Sequence, residues 1–267
     1  LAPGLDTELN FGAVGDYLAY GYVPAPDTIY RGIRKLLPGH ILRWRDGAFR
    51  TRSYWSLRYL PKRAISEADA LSELERKLSE SVRLRLIADV PLGALLSGGV
   101  DSSTVVALMA RQSSSPVKTF SIGFDESSFD ELRYARQVAQ QYGTDHHELI
   151  VRPDAAEVLP VLVRHYGEPY ADSSAIPTYY VSKLARQHVT VALNGDGGDE
   201  DFAGYDRYRA MTLSRHLHRV PAGRYLYPKL GGLMMRLPGI PAAAKRATRF
   251  FSALGYPDHE RYAQWVS

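Results

Sequence analysis

From Val90 onward the chain alternates short apolar runs with stretches of helical periodicity, and two of the runs end directly in glycine loops. The runs are residues 91–96, 117–124, 148–151 and 189–193, and helical segments at 102–112, 130–142, 155–166 and 175–187 separate them. Repetition in this order predicts parallel pairing, because joining two parallel strands takes a crossover segment and a helix is the usual one. Apolar runs with little polar alternation predict that both sheet faces are covered. The expected fold is therefore α/β, a doubly wound parallel sheet with helices on both faces. Ligands of such sheets bind outside the carboxyl ends of the strands. Both glycine loops follow strands and are expected on that edge.

Residues 1–60 read differently, being rich in Tyr, Gly, Pro and Arg. His40-Ile41-Leu42-Arg43-Trp44 and Phe49-Arg50-Thr51 are strand-like, and the Asp46-Gly47 pair between them signals a hairpin. This segment reads as the last hairpin of a domain whose body lies upstream, and residues 61–64 read as a linker. Ser66 then caps an amphipathic helix marked by Leu71, Leu74, Leu78, Val82 and Leu86. The expected division is 1–60 as the end of an N-terminal domain with its linker, and 61–267 as the ligand-binding domain. The chain lacks a starting Met and stops at Ser267 without a closing feature, so we expect further residues at both ends.

Composition removes several function classes. No window approaches the roughly 18 apolar residues of a membrane span, and no signal peptide opens the chain. The absence of Cys excludes a disulfide framework, a thiolate metal site and a Cys nucleophile, and is compatible with a reducing cytoplasm. Net charge is a mild +4. The most basic stretch holds Arg215, Arg219, Arg224, Lys229, Arg236, Lys245, Arg246 and Arg249. Leu, Tyr and Met alternate with these at helical spacing, which favours solvated helix faces over a nucleic-acid surface.

The first loop reads Ser97-Gly98-Gly99-Val100-Asp101-Ser102-Ser103. Successive glycines let amide N–H groups converge on a phosphate, and a helix expected from Ser102 adds unsatisfied donors and a positive dipole end. Ser97, Ser102 and Ser103 supply further donors, while Asp101 offers a hard oxygen to Mg²⁺, the usual companion of a polyphosphate. The Gly-Lys-Ser/Thr of a Walker loop is missing, so transfer of a terminal phosphoryl group is not the expected chemistry. The plainer alternative is a Gly-Gly turn ending a strand, with Asp101 and Ser102 as a helix cap. The motif resembles the loop with which the PP-loop ATP pyrophosphatase superfamily holds the pyrophosphate part of ATP.

The second loop, Asn194-Gly195-Asp196-Gly197-Gly198-Asp199-Glu200, packs three glycines and three carboxylates into seven residues. Clustered carboxylates repel one another and invite a divalent cation. An acidic helix N-terminus after a glycine turn is the alternative.

Residues 191–208, Val-Ala-Leu-Asn-Gly-Asp-Gly-Gly-Asp-Glu-Asp-Phe-Ala-Gly-Tyr-Asp-Arg-Tyr, resemble the second signature of the asparagine synthetase B-type, glutamine-hydrolysing family. So do Thr119 to Phe124, Gly143 to Glu148 and Gly167 to Tyr179, while residues 21–24 and 37–40 resemble the end of that family's glutaminase domain. The likeness extends over residues 12–210. It implies an adenine nucleotide alpha hydrolase-like fold preceded by a short remnant of a glutaminase domain. It implies that ATP adenylates the aspartate β-carboxylate, pyrophosphate leaves, and ammonia from a glutaminase domain missing in this chain forms the amide. By position, Leu96, Ile122, Asn194 and Gly195 would meet adenosine, and Ser97, Gly98, Gly99 and Ser102 would hold pyrophosphate. Asp101 and Asp199 would ligate Mg²⁺, and Asp196 would guide the proton of ammonia. The resemblance implies a cytoplasmic enzyme and leaves room for a homodimer. The sequence departs from the family at Asn194, where Ser is common, at Asp201, where an apolar residue is usual, and at Ala203, where Gly is usual. A related amidotransferase acting on another carboxylate, in a polysaccharide, a secondary metabolite or a β-lactam precursor, would carry the same loops. A non-catalytic nucleotide-binding homologue is the further alternative.

His146 and His147 stand just before a predicted strand, where adjacent side chains point to opposite faces, and both read as structural. No other grouping has zinc-type spacing. Asp172 reads as a helix cap, with a role toward the amino-acid substrate as the alternative. Glutamine hydrolysis in this family runs through a thiolate acyl-enzyme, and the chain has no Cys. A glutaminase assay on the purified 267 residues should therefore read at the blank, and turnover above it would reveal a nucleophile other than sulfur.

Overall fold

The computed structural model describes residues 4–124, 131–152, 154–217, 223–234 and 242–266. They form two bodies divided after Gly195. The first body opens with α1 (Phe11–Tyr20), whose N-cap Asn10 accepts from the amides of Gly12 and Ala13. A side-chain oxygen here satisfies donors that the helix leaves without intrahelical partners. Residues 21–35 then run along the loop at 167–174. The Gly21 carbonyl accepts from the Ala171 amide at 2.8 Å, and Lys35 pairs with Glu168 while donating to the Val23 carbonyl at 2.6 Å. Val23, Thr28 and Ile29 are buried along this stretch.

β1 (His40–Arg45) and β2 (Ala48–Ser53) form the predicted antiparallel hairpin, in register from His40↔Ser53 to Arg45↔Ala48. Asp46 and Gly47 both have positive φ, 51° and 78°, the geometry of a type I′ turn whose twist matches the flanking strands. Apart from half-buried His40, every hairpin residue is exposed. Tyr20, Tyr22, Tyr54 and Tyr59 are exposed as well, while Tyr17 and Tyr30 are half-buried.

α2 (Glu67–Arg85) begins as read, with the Ser66 hydroxyl accepting from the Asp69 amide at 3.1 Å. There follow β3 (Leu92–Leu95), α3 (Val100–Gln112), β4 (Lys118–Phe124), α4 (Leu132–Tyr142), β5 (Asp145–Val151), α5 (Ala155–Tyr166), α6 (Ala175–Ala185) and β6 (Val191–Leu193). The strands form one parallel sheet in the order β5-β4-β3-β6. Alternation along β3 feeds two cores. Ala94 and Leu96 pack with Val82, Val106, Met109 and Ala135 of α2, α3 and α4. Leu95 packs with Phe120, Leu184 and Val189 on the face that α6 covers, and α5 packs on α6 through Val158, Leu162 and Ala175. The doubly wound arrangement is the expected one.

Several boundaries differ from the expectation by a few residues, and in two the reason is visible. β5 starts at Asp145, so His146 and His147 lie within the strand, paired to Thr119 and Phe120. The ladder offered by β4 extends a segment whose residue types alone did not announce a strand. α3 starts at Val100, because Gly99 is extended (φ −68°, ψ 161°) and serves as the N-cap. Asp130, the expected start of α4, lies outside the described residues.

The second body contains α7 (Gly198–Phe202), α8 (Asp206–Leu217), α9 (Gly223–Met234), α10 (Ala242–Ala253) and α11 (Asp258–Val266). Arg215, Lys229, Lys245, Arg246 and Arg249 are exposed, as solvated helix faces require. The side chains of Arg219, Arg224 and Arg236 are outside the described residues. Arg261 is 0% exposed. It donates to Ser214 Oγ at 2.8 Å, to Asp258 Oδ1 at 3.2 Å and to the Tyr256 carbonyl at 2.8 Å, tying α11 to α8 and to the turn before it. Among the described residues no helix is long and apolar enough to cross a membrane.

Two stability measurements check this packing. Arg261→Ala leaves Ser214 and the Tyr256 carbonyl without their donor and should lower unfolding stability by about 2–4 kcal/mol in urea titrations. Ala203 ends α7 at φ 58°, a left-handed conformation that penalises a Cβ. Ala203→Gly should therefore raise stability by about 1 kcal/mol, and a loss of stability would show that the methyl group packs usefully.

Candidate functional site

In the sheet order β5-β4-β3-β6, strand β3 has β4 on one side and β6 on the other. The chain leaves β3 through α3 toward β4, and it returns on the far side of β3 only after α6. Strand order thus reverses between β3 and β6, and the crevice outside such a reversal is where doubly wound sheets bind ligands. The loop after β3 and the start of the loop after β6 both lie there, as the sequence reading expected for the first body.

The first loop is held by its own hydroxyl groups. Ser97 Oγ accepts from the Gly99 amide at 3.2 Å and lies 2.9 Å from Ser102 Oγ, which donates to the Gly99 carbonyl at 3.2 Å. Ser102 is buried and engaged within the loop, whereas Ser97 and Gly99 are exposed. Ser103 Oγ is buried without a hydrogen-bond partner in the protein. Gly98 has φ 87°, and a Cβ there would lie 2.7 Å from the Ala135 amide nitrogen and from Tyr134 Cβ. Only glycine lets the loop seat itself against the start of α4. Sequence reading did not identify that seat, because nothing in residues 131–135 marks them as a partner of the loop.

Asp101 occupies the first turn of α3, where a carboxylate faces the positive end of the helix dipole. Leu96 is 1% exposed and belongs to the core. Its amide donates to the Phe120 carbonyl at 2.9 Å and its carbonyl accepts from Ser121 Oγ, so Leu96 anchors the end of β3. Ile122 is half-buried on β4. Across the reversal, Asn194 is exposed and Gly195 presses on α3. A Cβ on Gly195 would lie 2.6 Å from the Ser102 amide nitrogen and 2.9 Å from Asp101 Cβ. The two loop segments that the resemblance assigns to adenosine and to phosphate therefore touch, backbone against backbone.

In the second body Asp196 is exposed, Gly197 turns the chain at φ 91°, and Asp199 and Glu200 fall in the first turn of α7. Tyr205 donates to Glu200 Oε1 at 2.6 Å. That bond holds the Glu200 carboxyl below its ordinary range and, as its largest effect on the partner, pushes the Tyr205 phenol up to about 12. The Arg207 guanidinium lies 4.0 Å from the centre of the Tyr205 ring. This bracing of α7 went unread in the sequence, although an aromatic five residues after an acid on a short helix is its signal.

The remaining side chains fall into structural places. His146 bonds Thr119 Oγ1 at 2.8 Å and Glu148 at 3.1 Å on one face of β5. Burial lowers its pKa, with Glu148 opposing. His147 stacks on Phe120 at 5.5 Å and on His188 at 3.9 Å on the other face. Asp172 accepts from the Ser174 amide at 2.8 Å, which lowers its pKa and turns the chain into α6. The N-cap position itself is Ser174. A cavity of about 380 Å³, lined by Leu86, Leu92, Met109, Gln112 and Val117, opens at the opposite, N-terminal ends of β3 and β4 and holds none of the predicted site residues.

Comparison with known proteins identifies the family. The asparagine synthase family model matches residues 73–265, and the glutamine amidotransferase domain model matches residues 1–55. "Asparagine synthetase [glutamine-hydrolyzing] 1" of Bacillus subtilis is 35% identical over 220 residues, 82% of this chain and 34% of that protein. A "Putative asparagine synthetase [glutamine-hydrolyzing] 2" of Methanocaldococcus jannaschii is 40% identical over 200 residues, 74% of this chain and 39% of that protein. "Amidase chyE" of Penicillium rubens is 35% identical over 215 residues, 73% of this chain and 32% of that protein. The chain thus spans about a third of the length of these curated relatives. With a family match running from α2 into α11 and both glycine loops inside it, the chain belongs to the asparagine synthase family.

Proposed function

We propose that the chain is the ATP-binding part of a glutamine-dependent carbon–nitrogen ligase that converts aspartate, ATP and ammonia into asparagine, AMP and pyrophosphate. The observation that carries this reading is the loop after β3. The hydroxyl of exposed Ser97, the amides at the start of α3 and the unpartnered Ser103 hydroxyl offer donors with no basic side chain in the loop. Such donors suit a pyrophosphate that leaves as one unit. Adenylation of a carboxylate then supplies the leaving group that the later attack by ammonia needs.

In this reading Ser97, Gly98, Gly99 and Ser102 shape the pyrophosphate seat, and Ser103 Oγ turns to a phosphate oxygen. Asn194, Gly195 and Ile122 border the adenosine, and Leu96 fixes the strand end beneath it. Asp101 and Asp199 are the proposed ligands of Mg²⁺. Among the described residues no three His, Asp or Glu side chains converge as a complete cage. Mg²⁺ commonly takes one or two carboxylates and completes its shell with phosphate and water, so each of these carboxylates is of the donor type the ion takes. The ion would offset charge on the departing pyrophosphate. Asp196 is proposed to take the proton released when ammonia attacks.

The relatives named asparagine synthetase support aspartate as the carboxylate. The amidase relative favours, as a second reading, the same chemistry on another carboxylate. We place residues 1–60 at the end of a glutaminase-type domain that supplies the ammonia, residues 61–267 in the synthetase domain, and the enzyme in the cytoplasm, with which a chain free of Cys accords.

Calorimetry with ATP checks the reading. The wild-type chain should bind ATP more tightly with magnesium than without it. Asp101→Asn should lose about tenfold in the magnesium-dependent affinity, about 1.4 kcal/mol, with little change in magnesium-free buffer. Equal affinities of the two proteins in magnesium would remove Asp101 from the site.

A further inference from the structure

The turn that follows α7 contains an alanine and a glycine whose demands are opposite to what their identities suggest. Ala203 holds the left-handed conformation, φ 58°, although it carries a Cβ. Gly204 does not, and its backbone falls in a region open to any residue. Conformation therefore gives no reason for glycine at position 204. The residue is exposed, so lack of room in a core gives none either.

What a side chain at 204 would meet is one residue. A Cβ built there overlaps Asp199 Oδ1, lies 2.8 Å from Asp199 Cγ and lies 3.0 Å from Asp199 Cα. The Gly204 amide meanwhile donates to the Asp199 carbonyl at 2.9 Å, so the turn folds back onto this residue through its backbone. The carboxylate of Asp199 occupies the space a Cβ at 204 would take, so its present rotamer is open only because position 204 has no side chain. Nearby, Tyr205 holds the neighbouring carboxylate, that of Glu200, by a 2.6 Å bond.

We propose that Gly204 is a positioning residue for Asp199, the open Cα that lets this carboxylate adopt the orientation in which it serves the bound cation. The proposal rests on the reading of Asp199 as a Mg²⁺ ligand. It gives a reason for glycine at 204 where conformation does not require it, while at 203, where conformation favours glycine, an alanine stands. Position 203 affects only the stability of the turn, whereas position 204 governs a carboxylate.

The overlap falls on the flexible side chain of Asp199 and the contact with its Cα is only tight, so Gly204→Ala should fold, with the circular dichroism of wild type and a thermal midpoint within a few degrees of it. Magnesium-dependent ATP binding, measured by calorimetry, should weaken about 10- to 100-fold, the usual effect of disturbing a group that orients a metal ligand. Binding of ATP in magnesium-free buffer should not change. A double-mutant cycle separates positioning from general damage. In an Asp199→Ala background the overlap with the carboxylate is gone and only the tight contact with the Cα of residue 199 remains, so adding Gly204→Ala should have little further effect. If Asp199→Ala weakens magnesium-dependent binding and Gly204→Ala does not, the positioning role is overturned while the metal reading stands. If Asp199→Ala leaves that binding unchanged, the metal reading fails and the proposal with it. Equal losses from Gly204→Ala in both backgrounds would show that the alanine acts on the turn and not through Asp199.

Discussion

The pairing of β6 beside β3 is the contact on which the functional part of the first body depends. It involves only Leu92↔Val191, Gly93↔Ala192 and Ala94↔Leu193, preceded by bonds from the Thr190 and Val191 amides to the Pro91 carbonyl. Among the described residues β6 is an edge strand, with β3 as its partner on one side and none on the other. This short ladder alone carries Asn194 and Gly195 to the first turn of α3. Had β6 added beside β5, at the other edge, Gly195 would end far from Asp101 and no crevice would open at a strand reversal.

Close approach of backbones is the second constraint, and it acts at two glycines. Gly98 lets the loop after β3 rest on α4, and Gly195 lets the loop after β6 rest on α3. At each point a Cβ would meet main-chain atoms, which cannot swing aside as a side chain can. Loops joining strands to helices in this way present amide groups at fixed positions before any ligand arrives. Donors positioned in advance lose little entropy on binding. The serine hydroxyls reinforce the arrangement, since Ser102 is engaged with Ser97 and Gly99 while Ser103 keeps its bonding capacity unused.

The segment matched by the amidotransferase model is attached to the sheet body in one part and bare in another. Residues 21–35 share a backbone bond and an ion pair with the loop at 167–174, where Asp172 turns the chain into α6. The hairpin after them leaves Trp44 and Phe49 in solvent. The 21–35 stretch thus touches the residues leading into α6 directly, whereas the hairpin strands have no such contact among the described residues.

Much of this was legible in the sequence, because local interactions specified it. The Asp46-Gly47 turn, the Ser66 cap, the apolar period of α2 and the strand–loop–helix order each depend on a few neighbouring residues, and each was found where expected. The two glycine loops were legible for the same reason: glycine next to glycine after an apolar run leaves few conformations to choose from. Tertiary structure alone decided the strand order, since nothing in residues 191–193 says which strand they pair with. It decided that β5 begins at Asp145, because β4 supplies a ladder that His146 and His147 would not form by propensity. It also decided which glycines are obligatory. Gly195 and Gly204 look alike in sequence, but each is required by what lies against it, a helix backbone in one case and the carboxylate of Asp199 in the other. Such demands come from residues distant in the chain or folded back by a turn, and no local pattern encodes them.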